Sequence, residues 1–362
     1  MHRLIYVTGV VVCIFLLWTA APAAAGNDSS HKSRQINPEG CAGCHSGRGV
    51  SGGGLLKGKG QVLCYRCHSR NATGRGRAAS DIESVMRKSS HHPVEETSHL
   101  HRKNEVLPAQ EGMSQRHVTC SDCHLSHVTS PGRAWNGVPG YRPTPVRVRG
   151  KSGKPQGQYK NRADFEYELC YRCHSDGPDT GLSSRDISSE FDPENMSYHP
   201  VEMAGRNYDV PSLVQGMSET SVIKCGSCHG NSDPLGAAGP HGSDYAPLLI
   251  AQYRMTEGAE SAMSYTLCYI CHDRQSIQGD ESFKSHRYHV VLQNISCISC
   301  HNSHGSRDNS HLIDFSAEGI TNSSDGIGPV YQLGAPGMPK CFLSCHGADH
   351  SASGINGRPW TW

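Results

Sequence analysis

Hydrophobic residues are concentrated in one run near the start of the chain and are sparse after it. The run occupies residues 4–18, follows Arg3, and leads into small residues that end at Ala25. A basic start, an apolar run shorter than the roughly 20 residues that span a bilayer, and a small-residue end are typical of a secretory signal peptide rather than a membrane anchor. We therefore predict a signal peptide over residues 1–25 and export to the periplasm, the cell surface or the extracellular space.

The rest of the chain has too few hydrophobic positions to fill an ordinary core. Hydrophobic residues make up 36% of the 362 residues and aromatic residues 7%, whereas 40 Gly and 20 Pro favour loops. No later segment is apolar enough to cross a bilayer. The pattern predicts short helices and extensive coil with little β-structure, wrapped around something other than side chains.

The cysteines follow a regular pattern. Sixteen of the 17 form eight closely spaced pairs, and a histidine directly follows every pair. Seven pairs have the sequence CxxCH, the attachment signature of c-type haem, and the last has CxxxCH. On one helical turn the two cysteines and the histidine share a face, so two thioethers and one axial imidazole can hold a haem. Neither a zinc site nor a disulfide needs a histidine at that position.

We therefore predict eight covalent haems c, in sites numbered 1 to 8 along the chain. In site 8 the extra residue separates the cysteines by four positions, which keeps them on one helical face. The predicted attachment residues are Cys41 and Cys44, Cys64 and Cys67, Cys120 and Cys123, Cys170 and Cys173, Cys225 and Cys228, Cys268 and Cys271, Cys297 and Cys300, and Cys341 and Cys345. The predicted proximal axial ligands are His45, His68, His124, His174, His229, His272, His301 and His346.

A unit of two haem sites is repeated three times. The sequence LCYRCH at residues 63–68 recurs at 169–174 and, as LCYICH, at 267–272. Each of these aromatic sites is followed by a marker histidine, a second-type site and a trailing histidine. Site 1 resembles the second type and site 8 the aromatic type, so the two types alternate along the chain. The marker histidines are His92, His199 and His289, and the trailing histidines are His127, His241 and His304.

We predict that these six histidines are distal axial ligands, because their positions recur with the haem sites. His127 and His304 lie three residues after a proximal histidine, on roughly the same helical face, and so should bind a neighbouring haem. Two haems then lack a distal candidate, and sites 1 and 8 are the places we expect them. Eight further histidines are available to fill these two positions, although for each one taken singly we predict a surface residue or a hydrogen-bond partner: His31, His91, His99, His101, His117, His286, His311 and His350.

The spacing of the sites divides the mature chain into segments. We predict haems 1–3 in residues 26–130, haems 4 and 5 in residues 166–260, and haems 6–8 with a C-terminal tail in residues 261–362. Between the first two segments lies a basic Pro/Gly-rich linker, residues 131–165, with no acidic residue before residue 164. We interpret it as a solvated linker, and the alternative is a basic surface that offsets haem propionates or docks an acidic partner.

The whole arrangement resembles the doubled CxxCH motif family of multihaem cytochromes c. The resemblance rests on the paired sites, the HPV sequences at 92–94 and 199–201, and the PHGS sequence at 240–243, and it covers about residues 41–346. It implies bis-histidine haems in an electron-transfer array. The chain departs from the family pattern at the missing trailing histidine of site 1, the insertion before His241 and the CxxxCH of site 8.

An iron with two histidine ligands has no open position for a substrate and can only change oxidation state. We therefore predict an octahaem electron carrier in periplasmic or extracellular respiration, with donor and acceptor redox proteins, or extracellular acceptors, as partners. The formal net charge is only +1 and haem propionates add negative charge, so no nucleic-acid partner is expected. Two alternatives stay open: an enzyme of the hydroxylamine oxidoreductase or nitrite reductase type with one open haem, and a self-associating subunit of an extracellular cytochrome filament.

Overall fold

The computed structural model of the chain describes residues 31, 34, 37–47, 55–58, 60–72, 80–94, 118–124, 150–153, 157–160, 163–175, 186–335 and 338–360. The predicted signal peptide, His127 and residues 131–149 of the predicted linker lie outside these ranges. Among the described residues, no helix combines the length and the apolar character that a membrane crossing requires.

The helices are short, and most of them carry a haem-attachment motif. One turn is enough to bring the residues of CxxCH to one face, so the motif itself requires no longer helix. Sites 1 to 7 all begin on such turns, which confirms the predicted helical placement for these sites. The α-helices are α1 (Gly60–Tyr65), α2 (Ile82–Met86), α3 (Cys120–Cys123), α4 (Glu166–His174), α5 (Ile187–Glu190), α6 (Thr266–Tyr269) and α7 (Arg274–Gln278). Single 3₁₀ turns cover Gly40–Gly43, Cys225–Ser227 and Cys297–Ser299, and a π-helix covers Arg287–Leu292.

The N-terminus of α4, the longest of these helices, is held by Glu168. The Glu168 carboxylate accepts hydrogen bonds from the backbone N–H groups of Asp164 at 2.6 Å and Phe165 at 3.1 Å. Lys160 donates to the same carboxylate at 2.7 Å. These contacts satisfy backbone donors near the start of the helix, and they attach the end of the predicted linker to site 4.

The strands form three two-residue ladders and one larger sheet, all antiparallel. The ladders join β1 to β5, β2 to β3 and β4 to β6, and the sheet has the order β11-β10-β9-β7 with β8 also paired to β9. The sequence predicted little β-structure and gave no indication of this five-stranded sheet. The strands are β1 (Ser90–His91), β2 (Gly150–Lys151), β3 (Tyr159–Lys160), β4 (Ser197–Tyr198), β5 (Gly242–Ser243), β6 (Gly305–Ser306), β7 (Ile320–Thr321), β8 (Val330–Ala335), β9 (Met338–Cys345), β10 (Ala348–Ser351) and β11 (Gly354–Ile355).

Site 8 lies on a strand, so the predicted helical turn is wrong at this site. Both Cys341 and Cys345 belong to β9. Side chains alternate between the two faces of a strand, so residues four positions apart again share a face. Four residues span about 13 Å along a strand but only about 6 Å along a helix, so the two cysteines lie much farther apart on β9 than on a helical turn.

Within the described part of the chain, two small hydrophobic clusters each lie between an aromatic site and the second-type site that follows it. Tyr171, next to the first cysteine of site 4, is 1% exposed and belongs to a cluster against which Cys225 of site 5 packs. Tyr265, which is fully buried and lies three residues before site 6, belongs to a cluster against which Cys268 of site 6 and Cys297 of site 7 pack. Tyrosines in or just before the aromatic sites therefore hold consecutive haem sites together.

Candidate haem-binding sites

Six of the predicted proximal histidines face a second imidazole across a nearly constant gap. Their ring centroids lie 5.9 to 6.3 Å apart. Imidazole binds a first-row metal at about 2.0–2.1 Å and its nitrogen lies roughly 1.1 Å from the ring centre, so two imidazoles on opposite sides of one iron have centroids about 6.2–6.4 Å apart. The pairs are His31–His68, His92–His174, His124–His241, His199–His272, His229–His304 and His286–His301.

The paired rings keep nearly one distance at very different angles. The angles vary from 14° in His124–His241 to 82° in His31–His68. Other aromatic rings lie at similar distances, for example 6.3 Å for Tyr253–Tyr265, so the gap supports coordination because both rings of each pair are imidazoles and one of them follows a cysteine pair. Coordination fixes the distance and leaves each ring free to turn about its metal–nitrogen bond. The constant gap therefore fits an iron between the rings.

Hydrogen bonds at Nδ1 orient several of these imidazoles. The Nδ1–H groups donate to backbone carbonyls: His92 to Pro240 at 2.7 Å, His229 to Pro247 at 3.1 Å, and His301 to His311 at 2.9 Å. A carbonyl can only accept, so the proton must be on Nδ1 and the lone pair on Nε2. This arrangement fixes the tautomer of a metal-binding histidine and directs Nε2 at the metal.

Burial favours the neutral form of most of the paired imidazoles. Burial first, and then the neighbouring His199, lower the pKa of His272 to about 4. The pKa of His174 falls to about 4 and that of His286 to about 3, again mainly through burial and then through neighbouring imidazoles. Near neutral pH these rings carry no proton on the second nitrogen, and only the neutral ring has a lone pair for iron.

Two short ladders exchange histidines between neighbouring units. In the first ladder, Ser90 of the unit with sites 2 and 3 pairs with Ser243 of the unit with sites 4 and 5. This pairing joins the segment just before marker His92 to the segment just after trailing His241. As a result His92 faces His174 of site 4, and His241 faces a proximal histidine of the preceding unit at site 3.

The second ladder repeats this exchange one unit further along the chain. Ser197 pairs with Ser306, so that marker His199 faces site 6 and trailing His304 faces site 5. His304 follows site 7 but faces the proximal histidine of site 5. The two ladders have the same register, with a serine opposite a serine in each.

A glycine after each of these two trailing histidines permits the ladder to form. A Cβ atom on Gly242 would lie 1.9 Å from the carbonyl oxygen of Val85 in α2, and one on Gly305 would lie 1.8 Å from that of Glu190 in α5. Real Cβ atoms do not approach a backbone oxygen so closely. The His-Gly-Ser sequence is therefore a packing requirement, because the strand must lie directly against the helix that follows an aromatic site.

Thiols of each site lie close to thiols of the next site along the chain. Burial first, and then the Cys170 thiol of site 4, raise the pKa of Cys123 to about 12. Such an effect requires the two sulfurs to be near each other. The pairs that interact in this way, from site 1 to site 8, are Cys44–Cys67, Cys64–Cys120, Cys123–Cys170, Cys170–Cys225, Cys228–Cys271, Cys268–Cys297 and Cys300–Cys345.

Comparison with known families agrees with this geometry. Residues 35–73 match the doubled CXXCH motif family, and residues 150–312 match domains II/IV of outer membrane cytochromes like MtrC/MtrF. The chain is a doubled CxxCH multihaem c-type cytochrome. No curated protein and no solved structure gives a significant match. The residues of sites 2 to 7 also fit haem c, since each cysteine pair is followed by a histidine that faces a second imidazole at close to the separation of two ligands on one iron.

The cytochrome places the histidines near its C-terminus differently from the prediction. His346, the predicted proximal ligand of site 8, is half exposed, and its Nε2 lies 3.6 Å from a carboxylate oxygen of Glu257. His289 instead faces His350, with ring centroids 6.2 Å apart. The predicted ligand His127 lies outside the described residues.

Sequence reasoning ranked three of the paired histidines as surface residues: His31, His286 and His350. The position of His31 could have identified it as a paired histidine. It precedes site 1, a second-type site, just as each marker histidine precedes a second-type site. His286 lies three residues before marker His289, and only the fold shows that the two face different partners.

Proposed function

We propose that the cytochrome is an octahaem electron carrier in which each haem has two axial imidazoles. The observation that supports this proposal is the constant gap of 5.9 to 6.3 Å between paired imidazoles. When bound, haem c supplies an iron that alternates between the ferric and ferrous states. Two imidazoles leave no position for a substrate, so the chain's own task is to hold the haems near one another and orient their ligands.

We propose that electrons pass through the haems in chain order, from site 1 to site 8 or the reverse. Support comes from the thiol pairs, which connect every site to the next without omitting one. Each thiol holds the edge of its haem, so neighbouring thiols bring neighbouring haem edges together. Electron transfer requires such near contact because tunnelling weakens steeply with distance.

The distal ligands follow one exchange rule in this proposal. An aromatic site takes the marker histidine of the preceding unit, and a second-type site takes the trailing histidine of the following unit. Applied to the ends of the chain, the rule assigns His31 to site 2, His289 to site 8 and, from the sequence alone, His127 to site 1. Site 7 has no following trailing histidine, and His286 replaces it.

We further propose that the cytochrome acts outside the cytoplasm, exchanging electrons with other redox proteins. The predicted signal peptide and the likeness of residues 150–312 to outer membrane cytochromes support this location. The first prediction below also tests the alternative of an enzyme with one open haem.

The purified mature protein is expected to carry eight covalent haems and to accept eight electrons, one for each iron. Mass spectrometry, the pyridine haemochrome assay and a reductive titration measure these numbers. A count of seven would mean that Cys341 and Cys345 do not attach a haem. Steady turnover of nitrite or hydroxylamine would favour the enzyme over the carrier.

The variant Glu190→Gln is expected to raise the potential of one haem. The Nδ1–H of His304 donates to the Glu190 carboxylate at 3.0 Å, and a carboxylate partner makes the imidazole a stronger donor to ferric iron. Removing this charge should favour the ferrous state of haem 5 by on the order of 50 mV in a spectroelectrochemical titration. The exposed Glu194→Gln is the matched control, and equal titrations for both variants would contradict the assignment of His304.

A further inference from the structure

Two of the aromatic sites contain the same hydrogen bond, from the tyrosine of the site to a glutamate. Tyr171 follows the first cysteine of site 4, and its hydroxyl donates to Oε1 of Glu202 at 2.8 Å. Tyr269 holds the same position in site 6, and its hydroxyl donates to Oε1 of Glu260 at 2.9 Å. A carboxylate therefore lies one tyrosine away from the haem-attachment residues of both sites.

The two glutamates come from different parts of the repeat. Glu202 ends the HPVE sequence at residues 199–202, which also occurs at residues 92–95. The third unit has Leu292 at the corresponding position, and its tyrosine binds Glu260, which precedes site 6 instead of following it. The carboxylate beside the tyrosine is thus kept although the glutamate of the motif is not.

An arginine neutralises the glutamate at site 6. Arg274 donates to Glu260 through Nε at 2.8 Å and through Nη2 at 2.6 Å. Burial alone would raise the pKa of Glu260, but the hydrogen bonds from Arg274 and Tyr269 hold it below its usual range. This carboxylate therefore stays charged near neutral pH.

Glu202 has no such cation among the described residues. Lys160 of β3 pairs instead with Asp164 and Glu168, at 2.7 Å from each. A Cβ atom on Gly153, just after β2, would lie 1.8 Å from Oε2 of Glu202, so the backbone of this hairpin lies directly against the carboxylate. One side of Glu202 is therefore shielded from water without a compensating positive charge.

The surroundings of Glu202 disfavour its charged form. Burial first, and then Asp192 and Glu168, raise the pKa of Glu202 to about 7, although the hydrogen bond from Tyr171 opposes them. The charged and titratable residues on the elements packed around Glu202 are Lys151 and Lys160 of the β2–β3 hairpin, Tyr167, Glu168 and Tyr171 of α4, Asp192 after α5, and Tyr198 of β4.

The tyrosine connects this carboxylate to two haem sites. Burial and then Glu202 raise the pKa of the Tyr171 hydroxyl, and the sulfurs of Cys225 and Cys170 add to the effect. The hydroxyl therefore lies near an attachment sulfur of site 4 and one of site 5. Reduction of either haem removes one positive charge from its iron, which favours protonation of a carboxylate close by.

We propose that Glu202 binds a proton when the haems of sites 4 and 5 are reduced, so that this junction transfers a proton together with an electron. This inference rests on the proposed electron-carrier function. A donor redox protein supplies the electron that converts ferric to ferrous iron, and the Glu202 carboxylate takes up at most one proton from the solvent. Reoxidation by the acceptor releases both. Glu260, held charged by Arg274, takes no part in this exchange.

The decisive variant is Glu202→Gln, which keeps the size of the side chain and stays neutral at every pH. A negative charge near a haem favours ferric iron, so the wild type should have the lower potential at about pH 9, where Glu202 is charged. At about pH 5 Glu202 is protonated and the two proteins should have equal potentials. Spectroelectrochemical titrations at the two pH values measure this difference. The exposed Glu194→Gln is the matched control and should titrate as the wild type does.

Proton uptake gives a second measurement on the same proteins. Full reduction in weakly buffered solution near neutral pH should take up fewer protons in Glu202→Gln than in the wild type, with a loss of up to one proton per molecule. In Tyr171→Phe the carboxylate loses a hydrogen-bond donor that favours its charged form. The pH range over which the potentials change should therefore move to higher pH in this variant.

Equal proton uptake by Glu202→Gln and the wild type would overturn the proposal, because other groups such as the haem propionates would then bind the proton. A difference in potential of the same size at both pH values would also overturn it, since a purely structural effect does not depend on the charge of Glu202. A high-spin haem in the wild type would instead count against the proposed function, so the two failures are distinguishable.

Discussion

Replacing His199 by Met is expected to raise the potential of one haem while all eight thioether attachments remain. His199 faces His272 with ring centroids 6.3 Å apart, and its Nδ1–H is held by the Ser303 carbonyl. A thioether ligand favours ferrous iron relative to imidazole, so the shift should be on the order of 0.1 V, within the roughly 0.8 V that axial ligands span. A spectroelectrochemical titration with parallel mass spectrometry measures both quantities.

The control for this variant is His91→Met, because His91 is an exposed histidine next to another marker residue. It should leave every potential unchanged. The competing explanation of His199 is a turn residue before Pro200, since the residue before proline is forced out of helical conformation. If the His199 variant has the same eight potentials as its control, that explanation is correct and the exchange rule fails at site 6.

Replacing Gly305 by Ala is expected to weaken the fold and disturb site 5 together. The new Cβ would lie 1.8 Å from the carbonyl oxygen of Glu190 and 3.1 Å from that of Ser197. The strand that carries His304 must then move away from α5. Overpacking of this kind costs about 1–3 kcal/mol of unfolding free energy. Urea denaturation measures this loss, and the ferric spectrum should show one haem that has partly lost its low-spin character.

Gly205→Ala is the matched control for this substitution. A Cβ on Gly205 would meet the Glu219 carbonyl oxygen at 3.7 Å, an ordinary contact. The control should be neutral or slightly stabilising, because alanine restricts the unfolded chain. Equal denaturation midpoints for the two variants would mean that the segment around His304 is not pressed against α5.

The sequence could predict where the haems attach because the chemistry is local. Two cysteines and a histidine within one turn need no distant partner, and the aromatic repeat also marks Tyr171, a buried core residue, and Tyr269, which packs against the second core cluster. The partner of each distal histidine is a different matter. It depends on ladders such as the one that pairs Ser197 with Ser306. Such a ladder joins segments more than a hundred residues apart, and each of its strands is only two residues long.

The C-terminal sheet could not be predicted for a related reason. Residues four positions apart share one face of a helix and also one face of a strand, so the alternation of faces gave no means of choosing, although a strand separates Cys341 and Cys345 by about 13 Å and a helix by about 6 Å. The pairing of β10 with β9 then determines that His350 returns to the face with the cysteines. The sequence favoured a surface residue or a hydrogen-bond partner for His286 and His350 because their positions do not recur with the haem sites, and their partners arise only from the fold.

The most direct test of the account is the spin state of the wild-type haems, measured by the ferric spectrum and by carbon monoxide binding to the ferrous protein. With two imidazoles on each iron, every haem should be low-spin and almost no carbon monoxide should bind. A high-spin signal worth one haem or more, with matching carbon monoxide uptake, would contradict a bis-histidine electron carrier.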